Sequence, residues 1–223
     1  NGLKISMSKN MVSGIRSMES NHHPITLLRC KLLVLGDACV GKSALTQVFH
    51  SGGATYPKNY LMTVGAEFCV KQVPIPETDT VVEIFIYDCA GQSIFNQLDL
   101  NSKYYENAAA VMLVYSISNR ESLQSCTKWF NAAKANRPNI IGVLVGNKSE
   151  FRSSIPGSFE ASRAEVVEED AQGMAATLEM KHFETSAANN VGVEEPFKYI
   201  ALQFYKRYEE SIQRADGLAR NFG

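Results

Sequence analysis

Long apolar stretches are missing from this sequence: no run of eighteen or more apolar residues occurs in its 223 positions, which excludes a membrane-spanning helix by pattern. The first 25 residues also lack the apolar block of a secretory signal. A protein that is neither secreted nor anchored by a helix is the expectation. An excess of one charge is missing too. Lys+Arg number 22 and Asp+Glu 23, a net charge of -1, without the electrostatic footprint of a nucleic-acid binder. Cysteine is sparse: Cys30, Cys39, Cys69, Cys89 and Cys126 are five, an odd number, and contain no CxxC pair. That pattern speaks for free thiols in a reducing compartment and against a disulfide or zinc framework. The four histidines, His22, His23, His50 and His182, have no metal-ligand spacing.

What is present is an ordinary globular composition, 45% hydrophobic and 20% charged, with length for one domain plus tails. Asn1 to Pro24, rich in Ser, Asn, Lys and Met without sustained periodicity, reads as a flexible tail. Short apolar runs follow at Leu27 to Leu35, Val81 to Tyr87, Ala109 to Tyr115 and Ile140 to Val145, each succeeded by polar or Gly-rich sequence. Helical spacing occupies Glu121 to Ala135 and Ala164 to Leu178. Strands alternating with helices predict βαβ units, a mainly parallel sheet and the α/β class. Ala66 to Ile75 alternates instead and joins the Val81 run through Pro76 to Asp79, the signal of an antiparallel edge hairpin. From Glu194 to about Arg220, Phe197, Ile200, Ala201, Phe204, Tyr205, Tyr208 and Ile212 share one helical face. Its first three turns are expected to pack on the sheet. The continuation past Tyr208 leaves room for a partner surface, so the domain is placed at residues 25–208 and a helical extension at 209–223.

Gly36-Asp37-Ala38-Cys39-Val40-Gly41-Lys42-Ser43 matches G-x-x-x-x-G-K-[ST], directly after one predicted strand and before a predicted helix. The loop amides close around phosphate oxygens, Lys42 reaches the β- and γ-phosphates, and the Ser43 hydroxyl ligates Mg²⁺. Downstream, Asp88-Cys89-Ala90-Gly91-Gln92 follows a strand. There Asp88 suits a water-mediated metal contact, the Gly91 N–H a γ-phosphate, and Gln92 the attacking water. Thr63, in the polar stretch Tyr56 to Gly65, offers a second hydroxyl to the metal. Asn147-Lys148-Ser149-Glu150 and Thr185-Ser186-Ala187 stand at later strand ends, where ligands of open parallel sheets bind. An Asn with a carboxylate reads a guanine edge, a Lys stem covers the ring plane, and the Ala187 N–H meets O6.

These ordered elements resemble the small Ras-like GTPases over Leu27 to about Tyr208. Glu121 to Phe130 (ESLQSCTKWF), the Tyr56/Tyr60/Thr63 spacing and Tyr104-Tyr105 resemble the Rab branch. The resemblance implies a P-loop NTPase fold of the small G-protein type, a mainly parallel six-stranded sheet with one antiparallel edge strand and helices on both faces. It implies GTP/GDP and Mg²⁺ as ligands, with Gly36 through Ser43, Ala44, Thr63 and Gly91 around phosphate and Ser43, Thr63 and Asp88 around the metal. Tyr56, Asn147, Lys148, Glu150, Ser186, Ala187 and Ala188 would surround the base, and Gln92 would be catalytic.

The departures are specific. No Cys follows Cys126 and the chain ends LARNFG, so no direct lipid anchor is expected. Tyr87 replaces the usual Trp and Ser93 the usual Glu, Ala38 a Gly beside the γ-phosphate, and Glu150 the Asp that grips guanine. LRCKLLVLGDACVGKSAL, VPIPETDTVVEIFIYD and LQFYKRYEE are most similar to the unprenylated Rab-like GTPases of the intraflagellar transport B complex. A cilium or flagellum and cytoplasm setting, a small β-sandwich subunit and other complex B subunits as partners, and a link to BBSome-mediated export are then implied. Ala38 predicts slow GTP hydrolysis, and Glu150 predicts retained but weakened guanine preference.

Overall fold

The computed structural model describes residues 26–57, 59, 61–91, 104–152 and 163–221. The expected tail at 1–24, Gln92, Ser93 and most of the 151–161 loop lie outside the described residues. Six strands form one sheet: β1 (Thr26–Leu35), β2 (Ala66–Pro74), β3 (Thr80–Cys89), β4 (Ala110–Ser116), β5 (Ile141–Asn147) and β6 (Lys181–Thr185), in the order β2-β3-β1-β4-β5-β6. All neighbours are parallel except β2 and β3, whose antiparallel register puts Glu67 opposite Asp88. This is the predicted α/β sheet with its edge hairpin.

The helices whose full extent is described are α1 (Lys42–Ser51), α2 (Arg120–Asn136), α3 (Glu168–Thr177) and α4 (Glu194–Asn221). The continuous apolar runs follow from burial on both sheet faces. In β1, Cys30, Leu32 and Val34 enter one core with Val48, Phe49, Phe197 and Ile200. Leu33 and Leu35 enter the other with Leu123, Cys126, Trp129 and Ala171. The Phe49 and Phe197 rings stack at 3.8 Å between centroids, joining α1 to α4 by about 0.5–1.5 kcal/mol beyond their buried area. Along α4 the packed face fades from buried Phe197 and Ala201 through half-buried Phe204, Tyr205 and Tyr208 to exposed Ile212 and Leu218. Among the described residues no helix is long and apolar enough to cross a membrane.

One boundary differs from expectation. The helix anticipated from Ala164 begins at Glu168. The amides of Glu165 and Val166 both donate to Ile117 O just past β4 (3.0 and 3.1 Å), and Val166 is buried. Those tertiary bonds hold the segment outside the helix that its own periodicity favours.

β1 has β3 on one side and β4 on the other, so the chain leaves it at the point where strand order reverses. A crevice forms there beyond the strand carboxyl ends, and the described parts of the phosphate loop, the Asp88 to Gly91 segment, the Asn147 to Glu150 segment and the Thr185 to Ala187 turn border it.

Candidate functional site

The crevice is floored by the turn Gly36 to Gly41 and opens at the N-terminus of α1. Gly41 precedes the helix at φ 95°, and a Cβ there would stand 2.3 Å from Asn147 Nδ2, so glycine alone fits. The first turn of α1 has neither a side-chain cap nor an acidic residue. Its unpaired amides, with the roughly half-unit positive charge of the helix end, are left to an anionic ligand. Lys42 is only 6% exposed and donates from Nζ to the carbonyls of Gly36 (2.9 Å) and Asp37 (2.8 Å). Burial pushes its pKa down, a shift opposed by the Asp88 carboxylate.

Beside Lys42, Ser43 Oγ donates to Asp88 Oδ2 at 2.5 Å and lies 3.0 Å from Thr63 Oγ1. Thr63 turns inward while its neighbours Leu61 and Val64 are 81% and 83% exposed. The amide of Ala90 fastens that loop by donating to Gly65 O (2.8 Å). Asp88 is 3% exposed, and its Oδ1 is a buried oxygen with no hydrogen-bond partner. Burial raises its carboxyl to about 6 against the opposing pull of the Ser43 bond and Lys42. A buried carboxylate oxygen left unpaired is costly. Two hydroxyls and one carboxylate are the hard oxygen donors Mg²⁺ takes, so this set fits that metal. Gly91 lies against the loop, where a Cβ would come within 2.5 Å of Ala38 N; Ala38 itself is exposed.

At the other end Asn147, 2% exposed, ties three segments together. Its Nδ2 donates to Val40 O (3.0 Å) and Oδ1 accepts from Thr185 Oγ1 (3.3 Å) and the Ala187 amide (3.2 Å). The Ala187 N–H expected to meet a base oxygen is thus directed to Asn147. Lys148, at φ 69°, donates from Nζ to Cys39 O (2.7 Å), its pKa lowered by burial. Glu150, in a single 3₁₀ turn (Ser149–Phe151), accepts from Ser186 Oγ through Oε2 at 2.5 Å. Ser186 Oγ also takes the Asn189 amide (3.1 Å). Tyr56 is 49% exposed after α1, Ala188 is exposed, and Ala44 is half-buried against the core. The crevice therefore gathers Gly36 to Ser43, Thr63, Asp88 and Gly91 at one end and Asn147, Lys148, Glu150, Ser186 and Ala187 at the other. Sequence reasoning quoted Thr185 and Trp129 within longer motifs but gave neither a role in the site. Thr185 braces Asn147, and Trp129 Nε1 donates to Asp37 Oδ1 at 2.8 Å; the motif spacing signals neither contact.

The Ras family model matches residues 31–206. The chain is 37% identical to the intraflagellar transport protein 27 homolog of Homo sapiens over 194 residues, 86% of this chain and 98% of that protein. The homolog of Trypanosoma brucei brucei is 34% identical over 187 residues (84% and 96%), and intraflagellar transport protein 27 of Chlamydomonas reinhardtii 36% identical over 201 residues (87% and 93%). With the phosphate loop at the sheet's switch point and a nearly full-length match to these relatives, the chain belongs to the Ras family of small GTPases, in its Rab-like intraflagellar transport branch.

Proposed function

We propose that the protein binds GTP and GDP with Mg²⁺, hydrolyses GTP slowly, and serves as a subunit of the intraflagellar transport B complex in ciliary or flagellar traffic. The observation that carries the reading is the convergence of Ser43, Thr63 and Asp88 beneath the α1 N-terminus, with Asp88 Oδ1 buried and unpartnered. Lys42 and the loop amides would hold the phosphates, and Ser43, Thr63 and Asp88 would hold Mg²⁺, which when bound would supply positive charge to the phosphate oxygens. Asn147, Lys148 and the 185–187 turn frame the base, and Gln92 orients the attacking water. The exposed Ala38 methyl crowds that water, so unaided turnover is on the order of 10⁻⁴ s⁻¹. A single-turnover rate above about 10⁻² s⁻¹ contradicts slow hydrolysis.

The partner reading assigns the far end of the molecule to assembly. A groove of about 870 Å³ opens beside α4, lined by Phe130, Lys134, Ile140, Met180, Tyr199 and Arg207 among others. It lies at the strand end away from the phosphate loop, so a partner seated there leaves the nucleotide crevice open. With the exposed helix beyond Tyr208 it suits the small β-sandwich subunit and other complex B subunits, and through them BBSome-linked export.

Denaturing the purified protein and resolving released nucleotide by ion exchange tests the reading. GDP or GTP in near-stoichiometric amount supports it; adenine nucleotide or none overturns it. Equal partner affinity with GDP and a non-hydrolysable GTP analogue would instead favour a nucleotide-binding structural subunit that does not cycle.

A further inference from the structure

Trp129 is the chain's single tryptophan. Its ring is buried on α2 in the core that contains Leu33, Leu35 and Cys89, and a buried indole N–H needs an acceptor. That acceptor is Asp37 Oδ1 at 2.8 Å, 92 positions away, in the phosphate loop. The Asp37 carboxylate therefore turns from the crevice toward α2. Its main chain is gripped twice more. The carbonyl takes Lys42 Nζ at 2.8 Å, and its peptide to Ala38 lies against Gly91, where a Cβ would stand 2.5 Å from Asp37 C and Ala38 N. Asp37 is thus contacted on its peptide by α1 and the segment after β3 and on its carboxylate by α2.

We propose that Trp129 is a positioning residue for the γ-phosphate end of the site, its N–H on Asp37 Oδ1 fixing the Asp37–Ala38 peptide against Gly91. The inference rests on the reading of the crevice as a guanine nucleotide site. A diphosphate has no group at Gly91, so the indole bond governs retention of GTP and leaves GDP retention nearly untouched.

The test measures dissociation of radiolabelled GDP and of a non-hydrolysable GTP analogue from the full chain. Trp129→Phe keeps most of the apolar volume and loses the N–H. Loss of a charge-assisted bond, transmitted in part, predicts about five- to thirty-fold faster analogue release, with GDP release changed by less than about two-fold. Asp37→Ala, in the phosphate loop itself, speeds release of both nucleotides but that of the analogue by the larger factor, and carries the test should Trp129→Phe lose cooperative melting. Asp37→Asn, which keeps an oxygen acceptor without charge, gives a smaller one. The lone tryptophan adds a spectroscopic readout. Its emission shifts when GDP is exchanged for the analogue, and the shift disappears in Asp37→Ala. Equal acceleration of both nucleotides, or wild-type emission indifferent to the exchange, overturns the inference alone. A wild-type chain that retains no guanine nucleotide overturns the site reading and the inference together.

Discussion

At Asp88, fold stability and ligand binding make opposite demands. Burial raises its carboxyl from an ordinary 3.8 to about 6. A group raised on folding contributes stability that is complete below its unfolded value and is lost as pH rises through the folded one. The nucleotide-free protein is therefore weaker at pH 7 than this carboxyl alone would make it near pH 4. Asp88→Asn removes the charge, so urea unfolding at pH 7 should show a gain on the order of 1–3 kcal/mol that shrinks toward pH 4. The same variant should lose Mg²⁺-dependent GTP retention. Glu150 makes a different demand: Ser186 holds its Oε2 at 2.5 Å, which fixes a carboxylate one methylene further from its backbone than the family's Asp. Glu150→Asp is expected to tighten GDP about ten- to a hundred-fold by restoring one charge-assisted bond. Unchanged affinity in a titration would mean that Glu150 already reaches the base edge.

At the scale of elements, α4 divides into a structural and a presented part. Phe197 is fully buried against Phe49, so Phe197→Ala should cost about 3–5 kcal/mol in chemical denaturation. Ile212 is 39% exposed, and Ile212→Ser should change stability by less than about 0.5 kcal/mol while weakening capture of the partner subunits proposed above. The strands were legible because burial on both sides leaves unbroken apolar runs, as in β4, where every residue is buried. The edge hairpin was legible from its alternation. The start of α3 was not, because the bonds from Glu165 and Val166 to Ile117 are tertiary and leave no mark on periodicity. The phosphate loop announced itself by spacing. Trp129 did not, since its partner Asp37 is 92 positions away, nor did the diversion of the Ala187 amide to Asn147.

Over the whole molecule, one crevice joins the ends of four strands, β1, β3, β5 and β6, with the start of α1, so nucleotide should act as a global stabiliser. GDP with Mg²⁺ at about a hundred times its dissociation constant adds about 2.7 kcal/mol, visible as a higher melting temperature that ADP at equal concentration does not reproduce. Adenine and guanine raising the transition equally would contradict base recognition through Asn147 and Glu150. The long last helix has a mechanical consequence as well. Its 28 residues make a rod of about 42 Å, seated in the core at one end and free of it at the other. Any pull on the outer end reaches the domain as leverage on the Phe49–Phe197 stack, directly beneath the helix that opens the phosphate loop. An attachment under tension at the tip is then felt where the helix is seated, by the strands it packs on and, through that stack, by α1.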